Sequence, residues 1–131
     1  MKYIFLIAVT LISLGLQAHE GTDGEQLKLD QGKKWIANEA THVGMTAIDK
    51  LLKSASDNET LVADLQKEIQ SITSQCTMTG PAHDQLHIVL IPIIEQTAAL
   101  GSAKNADRQQ HLDELKHLTH AYFKHFKTAA N

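Results

Sequence analysis

The candidate metal ligands of this chain are eight histidines, one cysteine and three methionines. His83 and His87 are four residues apart, so on a helix both imidazoles would lie on one face, a common arrangement of metal ligands. Cys76 and Met78 precede them closely in the sequence. Thiolate, thioether and imidazole donors together favour Cu(I) over hard cations such as Mg²⁺. The spacing therefore predicts a soft-metal site formed by Cys76, Met78, His83 and His87.

Each of these side chains also has a purely structural interpretation. A free cysteine is often simply a small buried apolar residue, and a histidine that faces a neighbouring helix is often just hydrogen-bonded within the core. The alternative hypothesis is therefore a cofactor-free helical protein, with a structural role or a role in binding an unknown protein partner.

Met45 is a second candidate ligand, at the edge of the apolar face of the first predicted helix. A methionine on one helix and a histidine such as His87 on another could bind a b-type haem inside a bundle. The chain has no C-x-x-C-H motif, so covalent haem attachment is excluded. Core packing is the alternative interpretation of Met45. Haem binding thus stands as a third hypothesis beside copper and no cofactor.

The other histidines are predicted to lie away from this site. His19 would become the first residue if a signal peptide were cleaved after Ala18, and a terminal amine with its own imidazole can chelate Cu(II). The rest are predicted to be solvated surface residues: His42, His111, His117, His120 and His125.

Common enzyme signatures are missing from the sequence, which has no G-x-S-x-G, P-loop or H-E-x-x-H motif. A nucleophile at Cys76 served by His83 or His87 would need an oxyanion donor, and none is apparent. The net charge is −3 and no Lys/Arg cluster occurs, which argues against nucleic-acid binding. We expect neither catalytic residues nor a nucleic-acid partner.

The first eighteen residues have the pattern of a cleavable signal peptide. Lys2 precedes a long apolar run that ends at Leu16-Gln17-Ala18, where a small residue suits the peptidase. This run is shorter than the roughly 20 residues of a membrane-spanning helix. We expect residues 1–18 to be removed and 19–28 to form a flexible leader. The protein would then be periplasmic or secreted, without stable membrane insertion.

Residues 29–131 are predicted to form one all-α domain, an antiparallel four-helix bundle. Apolar residues recur at helical spacing in four segments, at about 30–55, 57–77, 81–100 and 105–128. The predicted buried stripe of the first segment consists of Ile36, Ala40, Val43, Ala47 and Leu51. Gly44 beside it would allow a neighbouring helix to approach closely.

The predicted helix boundaries rest on capping and breaking residues. Ser56-Asp57-Asn58-Glu59 resembles a capping box at the start of the second helix. Pro81 suits the first position of the third helix, and Gly101 suits its C-terminal cap. Pro92 lies inside that helix, where it should produce a kink. A single cysteine allows no intrachain disulfide, so helix packing or a bound ligand must supply the stability.

Several short motifs extend over most of the predicted domain: Gly32-Lys33-Lys34-Trp35, Gly44-Met45, Cys76 and Ala82-His83-Asp84-Gln85-Leu86-His87, followed by an aromatic closing helix. Together they resemble the DnrO-like group, small exported bacterial proteins that are largely uncharacterised. The resemblance implies a periplasmic helical bundle but no particular activity. It carries over Trp35, Met45, Cys76 and His87, whereas His83 is outside the pattern of the group.

The predicted architecture is also similar to that of the b-type bundle cytochromes. In the fourth predicted helix, the stretch Ala121-Tyr122-Phe123 has a phenylalanine where those proteins have an axial histidine. This difference argues against a direct transfer of their haem site.

Overall fold

Four helices are the main elements of the computed structural model, which describes residues 26–54 and 59–130. They are α1 Glu39–Lys53, α2 Leu61–Gln75, α3 Gly80–Ser102 and α4 Asn105–His125. The described part of the chain thus confirms the prediction of an all-α, four-helix fold. The predicted signal peptide, His19, most of the predicted leader and most of the predicted capping box lie outside the described residues.

The helices pack in cyclic order, so that each contacts the helix before it and the helix after it. Short connections, 76–79 between α2 and α3 and 103–104 between α3 and α4, suit antiparallel neighbours. Leucine and isoleucine fill the centre, and the fully buried members include Ile48, Leu65, Ile72, Leu86, Ile93 and Leu115. Burial of this apolar surface is the main stabilising contribution. None of the described helices combines the length and the apolar character that crossing a membrane requires.

The chain before α1 is not helical, so the prediction of a helix from residue 30 is wrong. Gln31 and Gly32 have φ angles of 48° and 83°, which no right-handed helix can include. They form a tight turn in which Asp30 and Lys33 exchange two backbone hydrogen bonds of 2.8 Å. The turn directs the following residues along the bundle in an extended conformation.

Two short parallel strands connect this segment to the end of α4. They are β1 Trp35–Ile36 and β2 Phe126–Lys127, with Trp35 opposite Phe126. The Ala37 amide continues the pairing by donating to the Lys127 carbonyl at 2.8 Å. Because residues 126 and 127 take part in this pairing, α4 ends at His125, short of the predicted residue 128. The pairing fixes the start of α1 against the end of α4.

The ordered domain also includes residues that were predicted to belong to the leader. The Trp35 indole Nε1 donates to the Lys28 carbonyl at 2.6 Å, and the Lys28 amide donates to Gln85 Oε1 at 2.6 Å. Leu27 packs against the apolar core. Residues 27 and 28 are therefore held against α3.

The buried face of α1 differs from the predicted stripe. The side of the helix that faces the core carries Thr41, Gly44, Met45, Ile48 and Leu52. Of the predicted members, Val43 is 60% exposed and Ile36 is 47% exposed. The reason lies at Gly44, where an added Cβ would collide with the Ile72 side chain of α2. The expected close approach at Gly44 is confirmed, and it turns this face of α1 inward.

The boundaries of α3 are partly as predicted. Pro81 lies in the first turn, as expected, and Pro92 lies inside a helix that continues on both sides of it. Gly101 is not the C-terminal cap, because α3 extends to Ser102 and Ala103 follows as the capping residue. The Ala103 amide reaches the Leu100 carbonyl at 3.4 Å, which closes the last turn.

Candidate functional site

An imidazole pair lies in the first turns of α3. The ring centroids of His83 and His87 are 4.2 Å apart, and the ring planes are inclined by 59°. His83 is half-buried and His87 is exposed. The structure thus confirms that the two rings share one helical face, and it leaves one of them open to solvent.

The two predicted sulfur ligands lie between α2 and α3. Cys76 directly follows α2, Met78 follows two residues later, and both side chains are half-buried against the apolar core. Among the described residues, no three or more His, Cys, Asp or Glu side chains come together in a group that could hold a metal ion. The structure therefore brings His83 and His87 together without assembling Cys76 beside both of them.

Met45, the predicted haem ligand, lies in the core. Its side chain is 0% exposed and belongs to the central apolar cluster. Ligation of a haem by Met45 and the exposed His87 would require displacement of the packed neighbours of Met45. Haem binding through this pair stays a prediction.

His42 is a candidate functional residue that the sequence pattern does not reveal. Its Nδ1 atom lies 3.1 Å from the Tyr122 hydroxyl oxygen, and its ring contacts Phe123 edge-on at a centroid distance of 5.5 Å. The prediction of a solvated surface position is therefore wrong for His42. In the sequence, His42 follows Thr41 and lies three residues before Met45. Both of those residues face the core, so their positions could have indicated that His42 lies at the edge of the buried face of α1.

The Tyr122 hydroxyl determines which nitrogen of His42 carries the proton. Tyr122 is completely buried, and this burial raises the pKa of its phenol well above the usual value, so the phenol keeps its proton. Within the described residues, His42 is the hydrogen-bond partner that the structure provides for this hydroxyl. If Nδ1 were protonated instead, the phenolic hydrogen would be left without an acceptor, at a cost of about 1–3 kcal/mol. The hydroxyl therefore donates to Nδ1, and the neutral ring carries its hydrogen on Nε2.

The surroundings of His42 also favour the neutral imidazole. Burial lowers the pKa of His42 below its ordinary value of 6.5, and the positive charge of Lys34 lowers it further. The Lys34 ammonium is held in place by donating to the Phe123 carbonyl oxygen at 2.7 Å. His42 is thus a neutral hydrogen-bond donor through Nε2 at neutral pH.

The remaining described histidines make local contacts or face solvent. His125 Nδ1 donates to the Ala121 carbonyl at 2.7 Å, and His111 Nδ1 lies 2.8 Å from Gln96 Oε1. Both rings are half-buried, so these two predicted surface residues are only partly open to solvent. His117 and His120 are exposed on α4, as predicted.

No family model, curated protein or solved structure matches this chain. The resemblance to the DnrO-like group thus stays a prediction.

Proposed function

We propose that this protein is exported and binds one copper ion at the start of α3, with His83 and His87 as its first donors. The observation that carries the proposal is the 4.2 Å separation of the two ring centroids. Histidine nitrogens bind late first-row metals at about 2.0–2.1 Å. Rings this close can each direct one nitrogen to a shared ion by rotation of their side chains. Because His87 is exposed, the ion can arrive from solvent.

Copper is the ion that this set of donors favours. Imidazole suits zinc, nickel and copper, and Cu(II) forms the most stable complexes among the divalent ions of the first row. Cys76 and Met78, in the segment that leads into α3, are soft donors that favour Cu(I). We propose that these two residues assist in holding Cu(I) after a local rearrangement of connection 76–79, because both side chains now pack against the core.

The proposed role is binding rather than catalysis. Two imidazoles leave further positions on the ion for water, for the sulfur atoms of the connection, or for a ligand of a partner protein. An exposed site with few fixed donors exchanges its ion more readily than a closed site with four fixed ligands.

Copper titration of three forms of the full chain, recovered after export, tests this proposal. The forms are the wild type, the double variant His83→Gln/His87→Gln, and the control His117→Gln/His120→Gln. The control also removes two neighbouring exposed imidazoles from one helix. We expect the α3 variant to bind copper at least about tenfold more weakly, a difference of about 1.4 kcal/mol. The α4 variant should match the wild type.

Equal copper affinity in the two double variants would overturn the assignment to α3. Chelation by a terminal amine and His19 would contribute equally to all three proteins, so it cannot produce a difference between them. Copper should also raise the melting temperature of the wild type more than that of the α3 variant, because a ligand that binds only the folded state stabilises it.

A cofactor-free protein that binds a protein partner is the second candidate. It is favoured by Ile91 and Ile94, which lie three residues apart on α3 and are 47% and 38% exposed. Contiguous exposed apolar patches mark contact surfaces, and these two side chains would form part of one. If neither copper, zinc nor haemin changes the melting temperature, this second function is favoured.

A further inference from the structure

A half-open cleft of about 730 Å³ lies beside the start of α1. Its walls come from β1 and the first turns of α1, from the connection between α2 and α3, and from residues 128–130 after β2. We call this feature the α1 cleft. Within the described part of the chain, neither His83 nor His87 borders it, whereas Met78, the proposed assisting ligand of Cu(I), does. The two proposed sites therefore share only the connection 76–79.

The apolar part of the α1 cleft includes two side chains that the fold leaves uncovered. Ile36 from β1 and Val43 from α1 both border it, and they are 47% and 60% exposed. They come from different elements but face the same space. An apolar group placed in the cleft would remove both side chains from water, which is favourable.

The polar lining of the α1 cleft consists of His42, whose hydrogen-bonding role is fixed by Tyr122, together with Asn38, Glu39, Thr77, Thr79 and Thr128. His42 borders the cleft, and its Nδ1 edge faces the Tyr122 hydroxyl. The Nε2 edge, which carries the hydrogen, is the one left for a ligand. A protonated Nε2 cannot bind a metal ion, whereas it can donate to a carbonyl oxygen.

We propose that the α1 cleft binds a small uncharged amphiphile, with its apolar body against Ile36 and Val43 and its carbonyl oxygen accepting a hydrogen bond from Nε2 of His42. The volume lies within the range of about 300–1,000 Å³ that is common for small-molecule sites. Small-molecule sites usually have mostly apolar walls and a few polar groups that point towards the ligand.

An uncharged ligand fits the charges near the α1 cleft. Glu39 borders the cleft, and the ammonium of Lys34 is close enough to His42 to lower its pKa. Because these two charges are opposite, the electrostatic potential of the cleft favours neither an anionic nor a cationic ligand. The neutral donor of His42 then sets the preference for a carbonyl group.

Titration of the full chain with prodan, an uncharged naphthalene ketone whose emission reports local polarity, tests the proposal. We expect saturable binding with a shift of the emission to shorter wavelength. Val43→Asp should weaken the binding by about tenfold or more, because it places a charge on the apolar wall. Ile91→Asp is the matched control, since it changes an equally apolar, exposed residue away from the cleft. It should leave the affinity unchanged.

The His42→Phe variant tests the proposed donor. It keeps an aromatic ring against Phe123 but removes the Nε2 hydrogen, and we expect about fivefold weaker binding from the loss of one neutral hydrogen bond. Unchanged affinity in His42→Phe would overturn the carbonyl contact. If the prodan titration does not saturate, or if Val43→Asp and Ile91→Asp bind prodan with equal affinity, the proposed site is wrong. Circular dichroism of each variant confirms that the helices are retained.

Discussion

The Nδ1 atom of His42 lies 3.1 Å from the hydroxyl oxygen of Tyr122, and this contact links α1 to α4. The Tyr122 ring in turn stacks on Phe126, with a centroid separation of 5.0 Å and planes inclined by only 6°. The imidazole therefore sits at the edge of an aromatic cluster that closes one side of the bundle. Its protonation state and the packing of α4 against α1 are consequently linked.

Removal of the Tyr122 hydroxyl should destabilise the fold without disturbing the ring packing. We expect Tyr122→Phe to lower the free energy of unfolding by about 0.5–1.5 kcal/mol, the usual contribution of one hydrogen bond. Urea unfolding measures the change, with an unaltered m-value as the sign of a retained fold. In a His42→Phe background the same substitution should cost less. An identical cost in both backgrounds would show that the contact contributes nothing.

The lowered pKa of His42 predicts a pH dependence of stability. The unfolded chain takes up a proton at His42 near pH 6.5, whereas the folded chain does so only at a lower pH. The contribution of His42 is thus fully present above pH 6.5 and is lost as the pH falls towards the lowered pKa.

Urea unfolding at pH 7.5 and 5.5 measures this dependence, with His42→Phe as the reference that lacks the titrating group. The wild type should lose more stability than the variant between the two values. Every other histidine is present in both proteins, so it does not enter the difference. Parallel losses would contradict the prediction.

The contact at Gly44 predicts a strong dependence on side-chain size. Gly44→Ala would drive a Cβ into the Ile72 side chain, and we expect a loss of about 1–3 kcal/mol in the free energy of unfolding. Gly101→Ala is the matched control, because a Cβ there would lie 3.3 Å from a Val62 methyl carbon. The gain in helix propensity, about 1 kcal/mol, should largely offset that contact. Thermal or urea unfolding of both variants measures the difference, and equal losses at the two positions would contradict it.

The proposed assistance by Cys76 predicts different behaviour of the two copper oxidation states. We expect Cys76→Ser to reduce the retention of Cu(I) strongly, because it replaces a soft thiolate by a hydroxyl. Binding of Cu(II) by His83 and His87 should persist in the same variant. Competition with a chromophoric chelator of Cu(I) measures the first effect. Unchanged Cu(I) retention would remove Cys76 from the site.

Much of the fold could be predicted because the number of helices and the approximate extent of three of them are encoded in local sequence. In the second predicted segment, the apolar residues at helical spacing include Leu61, Leu65, Ile69 and Ile72, and all four are buried in α2. The start of α3 followed from Pro81. The spacing of His83 and His87 was sufficient to predict their contact, since a helix relates residues four apart in a fixed way.

The errors occur where distant parts of the chain decide the structure. Ile36 was assigned to a helix, but its partner is Lys127 in β2, which no local pattern reveals. The inward face of α1 depends on Ile72, across the interface from Gly44. The sequence pattern places a different face of α1 inward, so it predicts His42 at the surface and does not reveal its contact with Tyr122.

The pairing of β1 with β2 has a consequence for the order of folding. Residues 35–37 precede the first helix and residues 126–127 follow the last one, so their hydrogen bonds need nearly the whole described chain to be present. Contacts between such distant segments carry the loop-closure entropy of everything between them. A chain that lacks α4 can form pairs of neighbouring helices, but it cannot form the contacts between α1 and α4. Closure is therefore expected to be a late event, because it requires α4 and the segment before α1 at the same time.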